Sequence, residues 1–270
     1  MLKKRILTAS VLAPIVLICV FWFPLEYFQW FVALVMCLGA WEWANLSGLE
    51  DMIQRWLYAA ALTAFLPVLV LFPLPSGVLL FIACLFWLLG LIWVRGYPGS
   101  SDQWGGVLQR TLMGVAVLIP TWHALVFLKA VAPAGGLLLL LMLLVWGADI
   151  GAYFAGRTWG RSKLAPAVSP GKTMAGFYGG LVTSLVIALV IGLYWQLKPL
   201  ALLSLLLVCL VTALASVLGD LLESMVKRHR GIKDSSQLLP GHGGIMDRID
   251  SLTAAAPVFA LGISLVGLAQ

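Results

Sequence analysis

Nine long apolar runs constrain the fold of this chain more than any other feature. They cover residues 6–23, 27–46, 56–73, 77–94, 107–128, 135–156, 175–195, 199–219 and 251–269. A run of about 20 apolar residues is long enough to cross the hydrocarbon core of a bilayer as a helix. A helix also satisfies its own backbone polar groups where no water is present. The pattern predicts an all-α, polytopic integral membrane protein with nine transmembrane helices.

The composition agrees with a membrane protein. Of the 270 residues, 62% are hydrophobic and only 10% are charged, whereas a soluble domain carries about 25% charged residues. The first run follows three basic residues and ends in the bulky sequence Phe21-Trp22-Phe23. It is longer than the apolar region of a cleaved signal peptide and lacks a small-residue cleavage site, so we expect it to be a retained first span.

The basic residues predict the orientation of the chain. If the N-terminus is cytoplasmic and the nine runs alternate in direction, all but two of the 17 Lys and Arg residues fall on the cytoplasmic side, the exceptions being Lys129 and Lys198. This asymmetry fits the positive-inside rule, with the C-terminus on the opposite side. The excess of basic residues that gives the chain its net charge of +6 therefore serves to orient it in the membrane. The same residues attract anionic membrane lipids. We therefore expect no nucleic-acid partner.

A dense polar segment, residues 220–250, lies between the last two runs. At its start, four polar residues spaced at i, i+3, i+4 and i+7 share one helix face: Asp220, Glu223, Ser224 and Lys227. Asp247 and Asp250 share a face at the start of the next helix. Carboxylates from two adjacent helix ends are suitable ligands for Mg²⁺. The spacing therefore predicts a magnesium site formed by Asp220, Asp247 and Asp250.

Cations and glycines occupy the interval between these carboxylates. The cations are of phosphate-binding types: Lys227, Arg228, Arg230, Lys233, His242 and Arg248. The glycines at 231, 241, 243 and 244 permit turns and a close approach of the backbone to a ligand. Carboxylates, cations and glycines together are the groups that phosphoryl or nucleotidyl transfer requires.

The same segment resembles the signature of the bacterial phosphatidate cytidylyltransferases (CDP-diacylglycerol synthases). The matching elements are Ser224-x-x-Lys227-Arg228, Lys233-Asp234, Pro240-Gly241-His242-Gly243-Gly244 and Asp247-Arg248-x-Asp250. The resemblance implies an Mg²⁺-dependent enzyme of phospholipid biosynthesis that converts CTP and phosphatidate to CDP-diacylglycerol and pyrophosphate. It also implies a place in the bacterial cytoplasmic (inner) membrane, with the active site facing the cytoplasm.

The resemblance, together with the spacing that places Asp220 on the same helix face, predicts which residues act in catalysis. They are Asp220, Ser224, Lys227, Arg228, Lys233, Asp234, His242, Asp247, Arg248 and Asp250. Gly243 and Gly244 are expected beside the nucleotide.

A second polar region lies around residues 145–180. Asp149 falls inside the sixth apolar run, where a carboxylate is costly unless it faces a partner or water, so we expect it to face the active-site cavity. The later sequence Ser169-Pro-Gly-Lys172-Thr173 is not a P-loop, because Pro166 stands where the first glycine is required and no strand precedes it. It resembles the Ser-Pro-x-Lys-Thr element of the same family, which implies that Ser169, Lys172 and Thr173 lie near the nucleotide.

These patterns divide the chain into two regions. Residues 1–140 form N-terminal membrane helices, and residues 141–270 form a catalytic region with cytoplasmic loops at 157–174 and 221–250. Glu42 lies near the cytoplasmic end of the second run, where a side chain that reaches the interface would explain it. Two other classes of function stay open: another CTP-dependent lipid enzyme, such as a polyprenol kinase, and a transporter. The sequence does not fix the oligomeric state and leaves a homodimer open.

Overall fold

The computed structural model of the protein describes residues 2–72, 75–132 and 134–268. Its helices are α1 (Leu2–Trp22), α2 (Leu25–Ser47), α3 (Met52–Leu71), α4 (Ser76–Gly96), the short α5 (Ser101–Trp104), α6 (Val107–Val131), α7 (Gly136–Trp159), α8 (Met174–Tyr194), α9 (Pro199–Arg230) and α10 (Met246–Leu265). Each of the nine predicted apolar runs coincides with one long helix.

Seven of the helices within these described ranges are long and apolar enough to cross a membrane: α3, α4, α6, α7, α8, α9 and α10. Their large exposed side chains, such as Leu203 and Leu207 on α9, suit contact with lipid. The structure therefore confirms a largely helical, polytopic membrane protein. The total of nine spans and the direction of the termini stay predictions.

Helix α9 is longer than a membrane crossing requires. Its 32 residues extend about 48 Å at 1.5 Å per residue, whereas the hydrocarbon core is about 30 Å thick. Proline at its first position and Gly231 after its last, with φ 76°, define its two ends. The excess length carries Asp220 and the residues after it towards one membrane surface. The second predicted loop is thus shorter than 221–250, because α9 continues to Arg230.

The segment between α7 and α8 adds two strands to the predicted all-α fold. Strand β1 (Lys163–Ala165) pairs with β2 (Ser169–Thr173) in an antiparallel hairpin, with Lys163 opposite Thr173. The Thr173 side chain then accepts a hydrogen bond from the Gly176 amide at 3.1 Å and caps α8. The region predicted as a loop at 157–174 is therefore the end of α7 followed by a short, ordered hairpin. The expectation that no strand precedes Pro166 is wrong, because β1 ends at Ala165.

Glycines bring α7 and α8 into close contact. A Cβ atom on Gly180 would lie 2.9 Å from the carbonyl oxygen of Ala148, and one on Gly151 would lie 2.7 Å from that of Gly179. Small residues at helix contacts allow backbones to approach when the surrounding lipid is as apolar as the side chains. The α7–α8 pair positions both Asp149 and the hairpin.

Packing crosses the predicted division at residue 140. The Thr121 hydroxyl of α6 contacts the carbonyl oxygen of Thr253 in α10 at 3.0 Å. Helix α10 contributes small buried residues and Phe259 to one hydrophobic cluster that also includes Met36 of α2 and Leu118 of α6. The N-terminal helices therefore support α10, which carries the second half of the signature.

We expect Gly179→Ala to destabilise the α7–α8 pair. The added methyl would overlap Ala155 Cβ and lie 2.8 Å from the Gly151 carbonyl oxygen, and overpacking of this kind costs about 1–3 kcal/mol. The midpoint of thermal unfolding in detergent should fall. Gly77→Ala is the matched control, because a Cβ there has no neighbour within 4 Å. Equal midpoints for the two variants would contradict the close contact.

Candidate active site

Asp247, in the first turn of α10, is the centre of a hydrogen-bond network in the signature loop. Its Oδ2 atom accepts bonds from the Ser235 amide at 2.9 Å, the Ser235 hydroxyl at 2.9 Å and the Gly244 amide at 2.8 Å. Its Oδ1 atom accepts a bond from Lys227 Nζ at 2.6 Å. Asp247 therefore joins the loop, α10 and the end of α9.

Lys227 is buried between two carboxylates. Its ammonium group lies 2.6 Å from Asp247 Oδ1 and 3.4 Å from Glu223 Oε1. A buried charge needs an opposite charge because it has lost its hydration. The sequence assigned Lys227 to phosphate binding. In the structure its ammonium group forms an ion pair with Asp247, which links the end of α9 to the start of α10.

Asp220 lies one helical turn from Ser224 and faces the hairpin. The Ser224 hydroxyl donates to Asp220 Oδ1 at 3.1 Å, and Lys172 Nζ of β2 lies 2.6 Å from Asp220 Oδ2. Both side chains of this ion pair are about one-quarter exposed. The two polar regions of the sequence, which are separated by about 50 residues, are thus in direct contact.

Asp250 lies next to Asp220. A Cβ atom on the neighbouring Gly219 would overlap the Asp250 carbonyl oxygen, so only glycine permits this approach of the backbones. The carboxylates of Asp220 and Asp250 repel each other, and both also repel the buried carboxylate of Glu223. The two helix ends therefore bring Asp220 and Asp250 close enough to interact electrostatically, and their predicted joint role in a metal site stays a prediction.

The charges of this group do not balance. We call the group the acidic cluster; its members are the carboxylates of Asp220, Glu223, Asp247 and Asp250 and the ammonium groups of Lys172 and Lys227. Four negative charges against two positive ones leave a formal net charge of −2. Glu223 is buried and neither of its carboxylate oxygens receives a hydrogen bond in the described structure. The cluster is therefore suited to bind further positive charge.

A cavity of about 420 Å³ opens beside the acidic cluster. We call it the polar cavity after the polar side chains that line it together with apolar ones. Asp149, Lys172 and Thr173 line it, together with Ser216 of α9 and Ser251 of α10. Asp149 is exposed to this cavity although it lies within α7, and it interacts electrostatically with Lys172, Asp220 and Arg248. Three of the four residues predicted from the second polar region therefore line one cavity; Ser169 is half-buried in β2 and does not.

Glu42 is the residue that the sequence interpretation placed wrongly. It does not extend to the interface but is completely buried. Its carboxylate accepts hydrogen bonds from the amides of Ile245 and Met246 at 2.9 and 2.7 Å. The hydroxyls of Ser235 and Ser236 donate to it at 2.9 and 2.6 Å. The available signal was an acidic residue inside an apolar run, which in a membrane protein indicates a specific partner.

The remaining predicted residues lie around this network. Arg228 donates from Nε to the Val168 carbonyl oxygen at 3.3 Å and ties α9 to the hairpin. Lys233, Asp234 and Arg248 are exposed, and His242 is half-buried with its Nδ1 lacking a hydrogen-bond partner in the described structure.

The two signature glycines, Gly243 and Gly244, lie directly against the carboxylates of Asp247 and Glu42. Gly243 has φ 83°, and a Cβ there would lie 2.7 Å from Asp247 Oδ2. A Cβ on Gly244 would overlap the Ser235 hydroxyl and lie 2.5 Å from Glu42 Oε2. The observed contacts explain why these positions are glycine, and their expected role beside the nucleotide stays a prediction.

The described ranges contain no group of three His, Cys, Asp or Glu side chains arranged to hold a metal ion by themselves. Mg²⁺ in nucleotide enzymes is usually held by one or two carboxylates together with substrate phosphates. The metal ligands predicted from the sequence stay predictions.

Comparison with known proteins identifies the family. Residues 3–266 match the model of the cytidylyltransferase family. The chain belongs to the cytidylyltransferase family. It is 51% identical over 260 residues to a phosphatidate cytidylyltransferase of Pseudomonas aeruginosa, covering 96% of both chains. It is 40% identical over 282 residues to a phosphatidate cytidylyltransferase of Haemophilus influenzae, covering 96% of this chain and 98% of the relative.

A shorter similarity falls on part of the chain. A phosphatidate cytidylyltransferase of Bacillus subtilis is 49% identical over 113 residues, which is 42% of each chain. The similarity to the Pseudomonas and Haemophilus cytidylyltransferases, in contrast, extends over nearly the whole chain. The family assignment therefore includes the N-terminal helices as well as the signature.

Proposed function

We propose that the protein is a phosphatidate cytidylyltransferase. It transfers the cytidylyl group of CTP to phosphatidate, giving CDP-diacylglycerol and pyrophosphate in phospholipid biosynthesis. The observation that carries this proposal is the ion pair between Asp220 and Lys172 beside the polar cavity, in a chain whose full-length relatives bear this enzyme name. A site at the ends of membrane helices suits one water-soluble and one lipid substrate.

The acidic cluster fits Mg²⁺ as the cofactor. Its formal charge of −2 matches one divalent cation, and Mg²⁺ prefers carboxylate oxygens. Asp220 and Asp250 are the proposed ligands, because Asp220 borders the hairpin and Asp250 accepts a hydrogen bond at only one of its two oxygens among the described residues. Asp247 is the third proposed ligand, although four donors already bond to its oxygens. When bound, Mg²⁺ would offset the negative charge at the α-phosphorus and on pyrophosphate.

The cations of the site bind and orient the phosphates. Lys172 lines the polar cavity, Arg248 interacts electrostatically with Asp149 of its lining, and the side chain of Lys233 is exposed. An oxygen of the phosphatidate phosphate attacks the α-phosphorus, a new phosphoanhydride bond forms, and the bond to pyrophosphate breaks. The attacking oxygen is already anionic at neutral pH, so positioning and electrostatic stabilisation supply most of the catalysis.

The proposed setting is the bacterial inner membrane, with the acidic cluster on the cytoplasmic side. Nine spans with a cytoplasmic N-terminus place the hairpin and the signature loop on the side where CTP is available. The distribution of Lys and Arg supports this orientation.

The activity can be tested with CTP labelled in its cytidine, together with phosphatidate and Mg²⁺. We expect label to enter the lipid phase with release of pyrophosphate, to stop when EDTA removes Mg²⁺, and to resume when Mg²⁺ is restored. Asp220→Asn should lower turnover roughly 100-fold, the cost of losing one key electrostatic group in a site. Asp102→Asn, an exposed carboxylate in α5, should keep the wild-type rate. Labelled CDP in the aqueous phase would instead indicate a CTP-dependent kinase.

The orientation can be tested by thiol labelling. After Cys19, Cys37, Cys84 and Cys209 are replaced by alanine, a single cysteine is introduced as Gly171→Cys or as Lys198→Cys, both at exposed positions. A reagent that does not cross membranes should label the Lys198→Cys protein in intact spheroplasts and the Gly171→Cys protein only in inverted vesicles. The reverse result would overturn the proposed orientation.

A further inference from the structure

Glu42 of α2 has a buried carboxylate that lies outside the acidic cluster. It is completely buried and does not line the polar cavity. A buried charge has lost its hydration and needs compensation, yet no Lys, Arg or His among the described residues forms an ion pair with it. Arg55 interacts with it electrostatically without reaching ion-pair distance. Hydrogen bonds therefore have to compensate the charge of Glu42.

These hydrogen bonds come from the start of α10 and from the signature loop before it. Oε1 of Glu42 accepts one from the Ile245 amide at 2.9 Å and one from the Ser236 hydroxyl at 2.6 Å. Oε2 accepts one from the Met246 amide at 2.7 Å and one from the Ser235 hydroxyl at 2.9 Å. All four donors lie 193 to 204 positions after Glu42 in the sequence.

Glu42 takes the place of a capping side chain that α10 lacks. The first amides of a helix have no acceptor within it, and a Ser, Thr, Asp or Asn at the N-cap position usually bonds them. Ile245 occupies that position in α10 and makes no side-chain capping bond. Glu42 accepts from the amides of Ile245 and Met246, and Asp247 accepts from that of Gly244. Three successive amides at the start of α10 are thus divided between Glu42 and Asp247.

Glycines on both sides of the contact allow the carboxylate to reach these amides. A Cβ atom on Gly244 would lie 2.5 Å from Oε2 and 2.6 Å from Oε1 of Glu42. Gly39 lies three residues before Glu42 and shares its face of α2, and a Cβ atom there would lie 3.1 Å from the sulfur of Met246. One face of α2 is therefore fitted to the start of α10.

The Ser235 hydroxyl connects Glu42 directly to Asp247. Its oxygen lies 2.9 Å from Oε2 of Glu42 and 2.9 Å from Oδ2 of Asp247, and a serine hydroxyl has a single proton to donate. The two carboxylates therefore share one donor. The orientation of Asp247 depends on Glu42 by two routes, the backbone of α10 and the side chain of Ser235.

We infer that Glu42 is a positioning residue for cytidylyl transfer. It fixes the start of α10 and, through Ser235, the orientation of the Asp247 carboxylate at the acidic cluster. The inference rests on the proposed function and adds to it a residue of the second helix that acts without touching a substrate. A residue with a purely structural role would lower the stability of the protein and leave the turnover of the folded enzyme unchanged.

Glu42→Gln tests this role. The variant keeps the size of the side chain but places an amide nitrogen, which cannot accept a hydrogen bond, against one of the two helix amides. The start of α10 should then shift, and because a misplacement of about 1 Å can cost roughly 100-fold in rate, kcat should fall roughly 10- to 100-fold. KM for CTP should change little, because Glu42 does not line the polar cavity. Glu26→Gln, at an exposed carboxylate in the first turn of the same helix, should leave both constants unchanged.

Ser235→Ala and Ser236→Ala form a matched pair. Each removes one hydroxyl that donates to Glu42, but only the Ser235 hydroxyl also bonds Asp247. We expect Ser235→Ala to lower kcat more than Ser236→Ala. Combined with Glu42→Gln, Ser235→Ala should cost less than the product of the two single losses in kcat, because side chains in one hydrogen-bond network are energetically coupled.

The outcomes separate this role from stability and from the proposed function. A normal kcat in Glu42→Gln protein, assayed below its midpoint of thermal unfolding in detergent, would overturn the positioning role while the function stands. Equal losses of kcat in the two serine variants would overturn the route through Ser235. A wild-type protein that forms no CDP-diacylglycerol would overturn the proposed function and this inference with it. If Glu42→Gln protein does not fold, the two serine variants decide.

Discussion

The contact on which the structure of the site depends is the ion pair between Lys227 and Asp247. It joins the last turns of α9 to the first turn of α10, and the same carboxylate binds two amides of the intervening loop. A long loop with several glycines has high conformational entropy, so it needs such fixed points. The glycines at 243 and 244 supply the space that lets the loop close around the carboxylate.

The fixed points also concentrate negative charge. Gly219 allows the backbone of α9 to approach Asp250, and the carboxylates of Asp220 and Asp250 repel each other. The buried carboxylate of Glu223 adds a third negative charge, and neither of its oxygens receives a hydrogen bond within the described residues. Such an arrangement is unfavourable by itself. It is the arrangement expected where a cation and the phosphates of a substrate complete the charge balance, and this is why the cluster supports nucleotidyl transfer better than transport.

The surroundings of the cluster suit two substrates of different solubility. The polar cavity exposes Asp149, Lys172 and Thr173, and a second, more apolar cavity of about 840 Å³ lies between α4 and α9. The walls of the two cavities share Leu164, Phe177 and Val217. The hairpin forms part of both walls, so its two short strands matter more for the site than for the fold.

The sequence by itself determined the helical membrane architecture, the positions of the long helices and the chemistry of the signature. It could do so because bilayer thickness sets a length of apolar sequence and because spacing along a single helix fixes which residues share a face. It could not determine the partners of Glu42, the contact of Lys172 with Asp220 or the pairing of Lys227 with Asp247. These contacts join residues 20 to 204 positions apart, and which side chains meet across helices depends on how glycines and small residues let the backbones pack. Only the tertiary structure therefore decided that an acidic residue of the second helix caps α10 and holds the signature loop.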